Sequence, residues 1–373
     1  MSNPAPREGE DSRFAVSVAR AGEGASASAS ARPARPELSV DEYARGVLAA
    51  DRAVLGRAIS LIESTKPSDE AVAQEVLTRL LSGTGRAMRI GITGMPGAGQ
   101  STFIEKLGTM LTERGHRVAV LAIDPSSRVS GGSILADRTR MGKLSSDPRA
   151  FIRPSPSGGT LGGIARKTRE AMLVCEAAGF DVVLIETVGV GQSETAIADM
   201  SDVVVALAIP GAGDELQGIK RGLLELVDLI VVNKADGENA AKARTAAAEY
   251  AAAARVMRGD DTHAAVSVLT CSALTGEGVW RVFEDVQSRF ERLQASGAID
   301  TRRRAQDRHW LRTLLHERLD RLLLDLPGAR AAMTQAETEV LDGRAPPVLA
   351  VERVIEALRR ELRAAPQARI DGH

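Results

Sequence analysis

Cysteine, histidine, net charge and long apolar runs are all scarce in this chain of 373 residues, and each scarcity removes a class of function. The two cysteines, Cys175 and Cys271, lie far apart in apolar segments, which predicts buried, reduced thiols rather than a disulfide. Five scattered histidines form no metal-ligand spacing. A formal net charge of −1 argues against nucleic acid as the main partner. No uninterrupted apolar run is long enough to span a bilayer, and the first residues lack the apolar core of a secretory signal. A soluble, cytoplasmic protein with no membrane partner is therefore expected. With 44% hydrophobic residues the chain can still bury a sizeable core, as one large domain with appendages or as two domains.

Large apolar residues are also few in residues 1–36, where Ala, Ser, Gly, Pro and Arg dominate and Ala25-Ser26-Ala27-Ser28-Ala29-Ser30 repeats. This composition reads as a disordered tail. A targeting peptide is the other reading of its arginines, and Glu8, Glu10, Asp11 and Glu23 stand against it. Residues 37–86 are expected to form a helical N-terminal extension. Ser39-x-x-Glu42 is a capping-box signature, and Val47, Leu48, Val54, Leu55, Ile59 and Ile62 recur at helical spacing. A second stretch starts at Ser68, carries Val72, Val76, Leu77, Leu80 and Leu81 on one face, and stops at Gly83. Scaffolding is their expected role.

Against these absences stands one organising stretch, Gly94-Met95-Pro96-Gly97-Ala98-Gly99-Gln100-Ser101-Thr102. It follows an apolar strand-like run and precedes a helix-like segment, Phe103 to Arg114. Glycines that let the backbone turn tightly, with N–H groups and a helix N-terminus pointing inward, make a cradle for phosphate. Ser101 would reach a magnesium ion. The pattern lacks one residue of the nucleotide-binding loop: its lysine is Gln100. Alone, the stretch is equally a structural strand-to-helix turn.

Further motifs sit at the ends of later strands, where open α/β sheets gather ligands. Val118 to Ile123 ends in Asp124-Pro125-Ser126-Ser127, with Asp124 placed either for chemistry or as a helix cap. Asp181 to Ile185 delivers Glu186-Thr187-Val188-Gly189, an acidic residue followed by a glycine able to donate its N–H to a terminal phosphate. Asp124, Glu186 and the Ser101 hydroxyl make a hard oxygen set suited to magnesium. Val203 to Ile209 leads into Pro210-Gly211-Ala212-Gly213-Asp214-Glu215-Leu216-Gln217-Gly218-Ile219-Lys220. Leu229 to Val232 ends in Asn233-Lys234-Ala235-Asp236, in which a carboxylate can accept two hydrogen bonds from guanine that adenine does not offer. Cys271-Ser272-Ala273-Leu274 follows the strand-like Ala265 to Leu269 and strengthens the guanine reading.

Over residues 40 to 330 these motifs, in order, resemble the methylmalonyl-CoA mutase-associated GTPases, also called lysine/arginine/ornithine transport system kinases (MeaB/ArgK/MMAA-like). The resemblance implies an α/β fold: a P-loop NTPase of the SIMIBI class with a mostly parallel central sheet flanked by helices. It implies a GTPase domain over 87–295 and a helical C-terminal dimerisation arm over 296–373, hence a homodimer. It implies binding and hydrolysis of GTP with Mg2+, and an adenosylcobalamin-dependent acyl-CoA mutase as partner, with an adenosyltransferase beside it. No directly bound cobalamin is expected. By the same resemblance Ser101, Asp124, Asp137 and Glu186 hold magnesium, and Glu186 and Gly189 form a second switch. Asp214, Gln217 and Lys220 form a third, facing the mutase. Asn233, Lys234 and Asp236 read guanine, with Ser272, Ala273 and Leu274 behind the base.

Two functional readings follow. In one the chain is a GTP-hydrolysing chaperone of the mutase; in the other Gln100 has left a non-hydrolysing, guanine-nucleotide-binding adaptor. A nickel-insertion GTPase of related fold would need a histidine or cysteine cluster near the switches, and the sequence has none. In the arm, Trp310, Leu311, Leu314, Leu315, Leu319 and Leu322 form an apolar stripe read either as intramolecular core or as a subunit contact.

Overall fold

The computed structural model describes residues 37–123, 141–154, 161–187, 193–210, 225–258 and 266–364. Its compact unit begins at Ser39. Seven strands form one parallel sheet: β1 (Met88–Gly94), β2 (Val118–Ile123), β3 (Ala150–Arg153), β4 (Val182–Thr187), β5 (Val203–Ala208), β6 (Leu229–Val232) and β7 (Ser267–Thr270). Their order is β3-β2-β4-β1-β5-β6-β7. β2, β4, β5 and β6 are Val/Ile/Leu-rich and buried at every position, as strands covered on both faces must be. Strand β3 escaped the sequence reading because it has only four residues and alternates between buried and half-buried.

The helices among the described residues are α1 (Val40–Leu48), α2 (Arg52–Glu63), α3 (Pro67–Leu80), α4 (Gln100–Glu113), α5 (Gly142–Ser146), α6 (Leu161–Ala177), α7 (Ser193–Ala198), α8 (Asn239–Arg258), α9 (Val279–Ala295), α10 (Ala298–Asp325), α11 (Pro327–Leu341) and α12 (Pro347–Ala364). None is long and apolar enough to cross a membrane. Phe103, Ile104, Leu107 and Leu111 of α4 and Val282, Phe283 and Val286 of α9 bury one sheet face with Ile90, Ile92, Leu184 and Val205. On the other face α7 lies against β1 and β4.

The capping box at Ser39 forms, with Ser39 N donating to Glu42 Oε2 at 2.7 Å and Glu42 N to Ser39 Oγ at 3.3 Å. The helical pattern after it is two helices, not one. The chain turns at Ala50 (φ 59°), and Asp51 Oδ1 then accepts from Ala53 N and Val54 N at 2.8 and 3.1 Å to start α2. In α3 the buried face is Ala73, Val76, Leu77 and Leu80, whereas Leu81 is exposed in a short 3-10 turn.

Helix α10 is rooted at the N-terminal ends of the central strands. Arg303 donates to both oxygens of the fully buried Asp202 at 2.8 and 2.6 Å, and to the carbonyls of Gly85 and Ala87 at 2.5 and 2.7 Å. Beside it Arg89 and Glu176 form a second buried pair at 2.6 Å. Farther along α10, Leu311, Leu315 and Leu319 are 67%, 55% and 49% exposed. The described chain does not bury that stripe.

Candidate nucleotide site

The loop after β1 is glycine-dependent for geometric reasons. Gly94 has φ 149°, and a Cβ there would lie 2.3 Å from the Leu207 carbonyl oxygen. Gly99, at φ 84°, turns the chain into α4, and a Cβ there would lie 2.9 Å from Asn233 Nδ2. Met95 N donates to Leu207 O at 3.2 Å and Ala98 N to Met95 O at 3.0 Å, which pins the loop to β5 and closes its turn. Pro96, Gly97 and Thr102 are exposed; Met95, Gly99, Gln100 and Ser101 are half-buried, and Ala98 is buried.

Gln100 and Ser101 open α4 and point to different partners. Gln100 Nε2 donates back to the Gly94 carbonyl at 3.0 Å, folding the amide onto the loop. Ser101 Oγ donates to Glu186 Oε1 at 2.9 Å, which joins the helix start to the end of β4. Hydroxyl and carboxylate oxygens brought together at a helix N-terminus are donors of the hard type that Mg2+ takes, so these two residues fit the ion. Under them a pair absent from the sequence reading, Thr187 and Thr93, joins the ends of β4 and β1 through buried hydroxyls 3.0 Å apart. Register alone could have found it, because β1 and β4 pair Ile92 with Glu186 and so set the two threonines side by side.

Asn233 ties this loop to the segments that follow β6 and β7. It is 1% exposed, its Nδ2 donates to the Ala98 carbonyl at 2.8 Å, and its Oδ1 accepts from Ala273 N at 2.9 Å. Cys271 Sγ also donates to Oδ1 at 3.5 Å. Burial pushes the Cys271 thiol up to about 12, so it stays protonated and can act as that donor. Sequence reading took Cys271 as a buried thiol at the head of the Cys271-to-Leu274 motif and gave its side chain no hydrogen bond. Lys234 takes a left-handed φ of 59°, which turns the chain so that Asp236 meets Ser272, whose Oγ donates to Asp236 Oδ1 at 2.7 Å. Leu274 is 77% exposed beside this pair, whereas Ala273 is buried.

The structure thus brings together Gly94 to Thr102, Glu186, Asn233 to Asp236 and Ser272 to Leu274. Asp124, Asp137, Gly189, Asp214, Gln217 and Lys220 lie outside the described residues. Among the described residues no group of three or more His, Cys, Asp or Glu side chains could hold a metal on its own.

Comparison with known proteins agrees with this geometry. Residues 55–326 match the model of a family described as methylmalonyl Co-A mutase-associated GTPase MeaB. A Caulobacter vibrioides protein named as a GTPase is 52% identical over 322 residues, covering 86% of this chain and 98% of the relative. The mouse mitochondrial methylmalonic aciduria type A homolog is 43% identical over 330 residues, covering 86% and 80% respectively. A solved structure titled LAO/AO transport system kinase superposes with a TM-score of 0.70 at 36% identity, covering 86% of this chain and 97% of that one. The family model spans most of the chain and the relatives are covered over most of their length, and the chain belongs to the methylmalonyl Co-A mutase-associated GTPases.

Proposed function

We propose that the chain binds GTP and Mg2+ at this site, hydrolyses the nucleotide, and uses the cycle to serve an adenosylcobalamin-dependent acyl-CoA mutase such as methylmalonyl-CoA mutase. The service is to gate cofactor loading from an adenosyltransferase and to protect or reactivate the mutase. The observation that carries the reading is Asn233, one buried amide bonded both to the phosphate-type loop at Ala98 and to the base-type loop at Ala273. Such a bridge sets the distance between a phosphate cradle and a base reader.

In this reading the backbone of Gly94 to Ser101 takes the phosphates, and Asp236, held by Ser272 through one carboxylate oxygen, reads guanine. Lys234 and Leu274 flank the base. Ser101 and Glu186, with Asp124 and Asp137, would hold magnesium, which when bound neutralises charge on the phosphate oxygens. Glu186 and Gly189 sense the terminal phosphate, and Lys220 belongs to the surface that answers the mutase. The exposed leucines of α10, together with an apolar groove of about 290 Å³ among Leu323, Met333, Val340, Val351 and Ile355, suit a homodimer built through residues 296–373.

Gln100 favours the second reading, a non-hydrolysing adaptor. Its neutral amide rests on Gly94 O, and it cannot place a cation on the phosphates. Titration calorimetry with GTP and ATP, and GTP turnover with and without purified mutase, separate the readings. Hydrolysis stimulated by the mutase is the expected result, tight binding without turnover would select the adaptor, and equal affinity for ATP and GTP would refute both.

A further inference from the structure

The backbone ladder between β1 and β4 runs from Met88 paired with Val182 to Ile92 paired with Glu186, and ends there. Beyond that level the strands follow different neighbours. β1 stays with β5, pairing Thr93 with Ala206 and Gly94 with Leu207, and β4 stays with β2, pairing Thr187 with Ile123. The candidate site lies on this parting: Gly94 opens the phosphate-type loop on one side, and Glu186, bonded to Ser101 Oγ at 2.9 Å, stands on the other. The Thr187 hydroxyl, donating to Thr93 Oγ1 at 3.0 Å, bridges the strands where the ladder has stopped.

Strand alternation puts that bridge on the opposite side of the sheet from the site. Val182 and Leu184 share the α4 core with Ile90 and Ile92, and Glu186 meets Ser101 of α4, so Thr187 points to the other face. On β1 a Cβ at Gly91 would lie 2.8 Å from Ile197 Cγ1 of α7, so Thr93, two residues on, shares the α7 face. The pair can therefore act on the site only through the two strand ends.

Both hydroxyls are buried, 1% exposed at Thr93 and 0% at Thr187, and the rest of β4 before Glu186 is Val182-Val183-Leu184-Ile185. Stability does not account for them, because replacing both partners of a buried hydrogen bond by apolar groups of the same shape is nearly neutral. Spacing does. The oxygens meet at 3.0 Å, whereas two methyl carbons need about 3.5 to 4.0 Å, so a valine pair would hold the strand ends about 0.5 to 1 Å farther apart. An error of that size is felt wherever charged oxygens must converge on one point.

We propose that Thr93 and Thr187 are positioning residues of the nucleotide site: their hydroxyl bond holds the ends of β1 and β4 at the separation that lets Glu186 and Ser101 meet magnesium together. This rests on reading Ser101 and Glu186 as magnesium donors.

The test uses the full chain and a non-hydrolysable GTP analogue, with affinity measured by calorimetry in EDTA and over a magnesium series, and with the urea midpoint of each variant. In the native protein magnesium should tighten analogue binding. Thr187→Val and the double variant Thr93→Val/Thr187→Val should each lose about tenfold or more of that gain, as when a group orienting a metal ligand is removed. Thr187→Ser keeps the hydroxyl and should keep the gain. The double variant serves if Thr187→Val does not fold. A pair that only stabilised the fold would behave otherwise: Thr187→Val would weaken binding with and without magnesium alike, and the double variant would recover the magnesium gain together with its urea midpoint. A double variant with the native magnesium gain, or Thr187→Ser as impaired as Thr187→Val, would overturn the proposal and leave the nucleotide reading intact. If magnesium leaves the native protein's affinity unchanged, the assignment of Ser101 and Glu186 to the ion falls, and this proposal with it.

Discussion

Gln100→Lys is the substitution that most directly probes how the phosphate loop works. In the native chain the amide donates to the Gly94 carbonyl at 3.0 Å, so meeting a phosphate oxygen requires giving up a neutral hydrogen bond of about 1 kcal/mol. A lysine ammonium carries three donors and can keep Gly94 O while reaching the phosphates. A hydrogen bond to a charged group contributes about 1.5 to 3 kcal/mol, which corresponds to about a 10- to 150-fold gain in GTP affinity. Turnover should rise at least as much, since charge on the phosphoryl oxygens is stabilised most in the transition state. The fold should be indifferent, because Gln100 is half-buried at the first position of α4 and touches no core residue through its amide. Calorimetry with a non-hydrolysable analogue gives affinity, and steady-state phosphate release gives the rate. If both stay within about twofold of native, Gln100 does not face the phosphates and the reasoning fails. Restored affinity with negligible turnover would identify the chain as an adaptor.

Asp236→Ala should erase most of the preference for GTP over ATP, read by competition calorimetry, while Ser272→Ala should weaken it by removing the bond that aims the carboxylate. Thr187→Val leaves the buried Thr93 hydroxyl without its partner at the end of β1, and should cost about 1 to 3 kcal/mol in urea unfolding; an unchanged midpoint would contradict the pairing. Burial raises the Cys271 thiol from 9.0 to about 12, so the folded protein keeps its proton where the unfolded chain would release it. The resulting stability is intact below pH 9.0 and is lost progressively as pH rises toward about 12. Cys271→Ala should flatten that decline, and identical alkaline profiles for the two proteins would refute the burial argument.

What was legible in the sequence had a local signature. Unbroken β-branched runs marked the central strands because both sheet faces are covered, and the glycines of the phosphate loop marked backbone that no side chain could follow. Asn233 to Asp236 stood out in the sequence by order and spacing. Its mechanical part did not, because the bonds to Ala98 and Ala273 join segments 135 and 40 residues away. Strand β3 was missed because its four residues are too few for their alternation to stand out as a period. The leucine stripe of α10 left core and contact open, since periodicity reports an apolar face and not what covers it. The root of α10 was invisible for another reason: Arg303 reads as one arginine among three in a row, and only the fold shows that it alone meets both oxygens of Asp202.

That last pair has a consequence for the order in which the protein is made. Asp202 begins the descent into β5, at the centre of the sheet, and its fully buried carboxylate accepts from Arg89 N at 2.9 Å as well as from Arg303. A chain emerging from the ribosome presents every strand of the sheet before it presents Arg303. Until then the sheet must either hold a buried carboxylate without its cation, at a cost of several kcal/mol, or stay open at its N-terminal end. Nascent chains ending before Arg303 should therefore remain protease-sensitive at the starts of β1 and β5, and those extended past α10 should become resistant there. The sheet then closes at that end only once α10 has emerged.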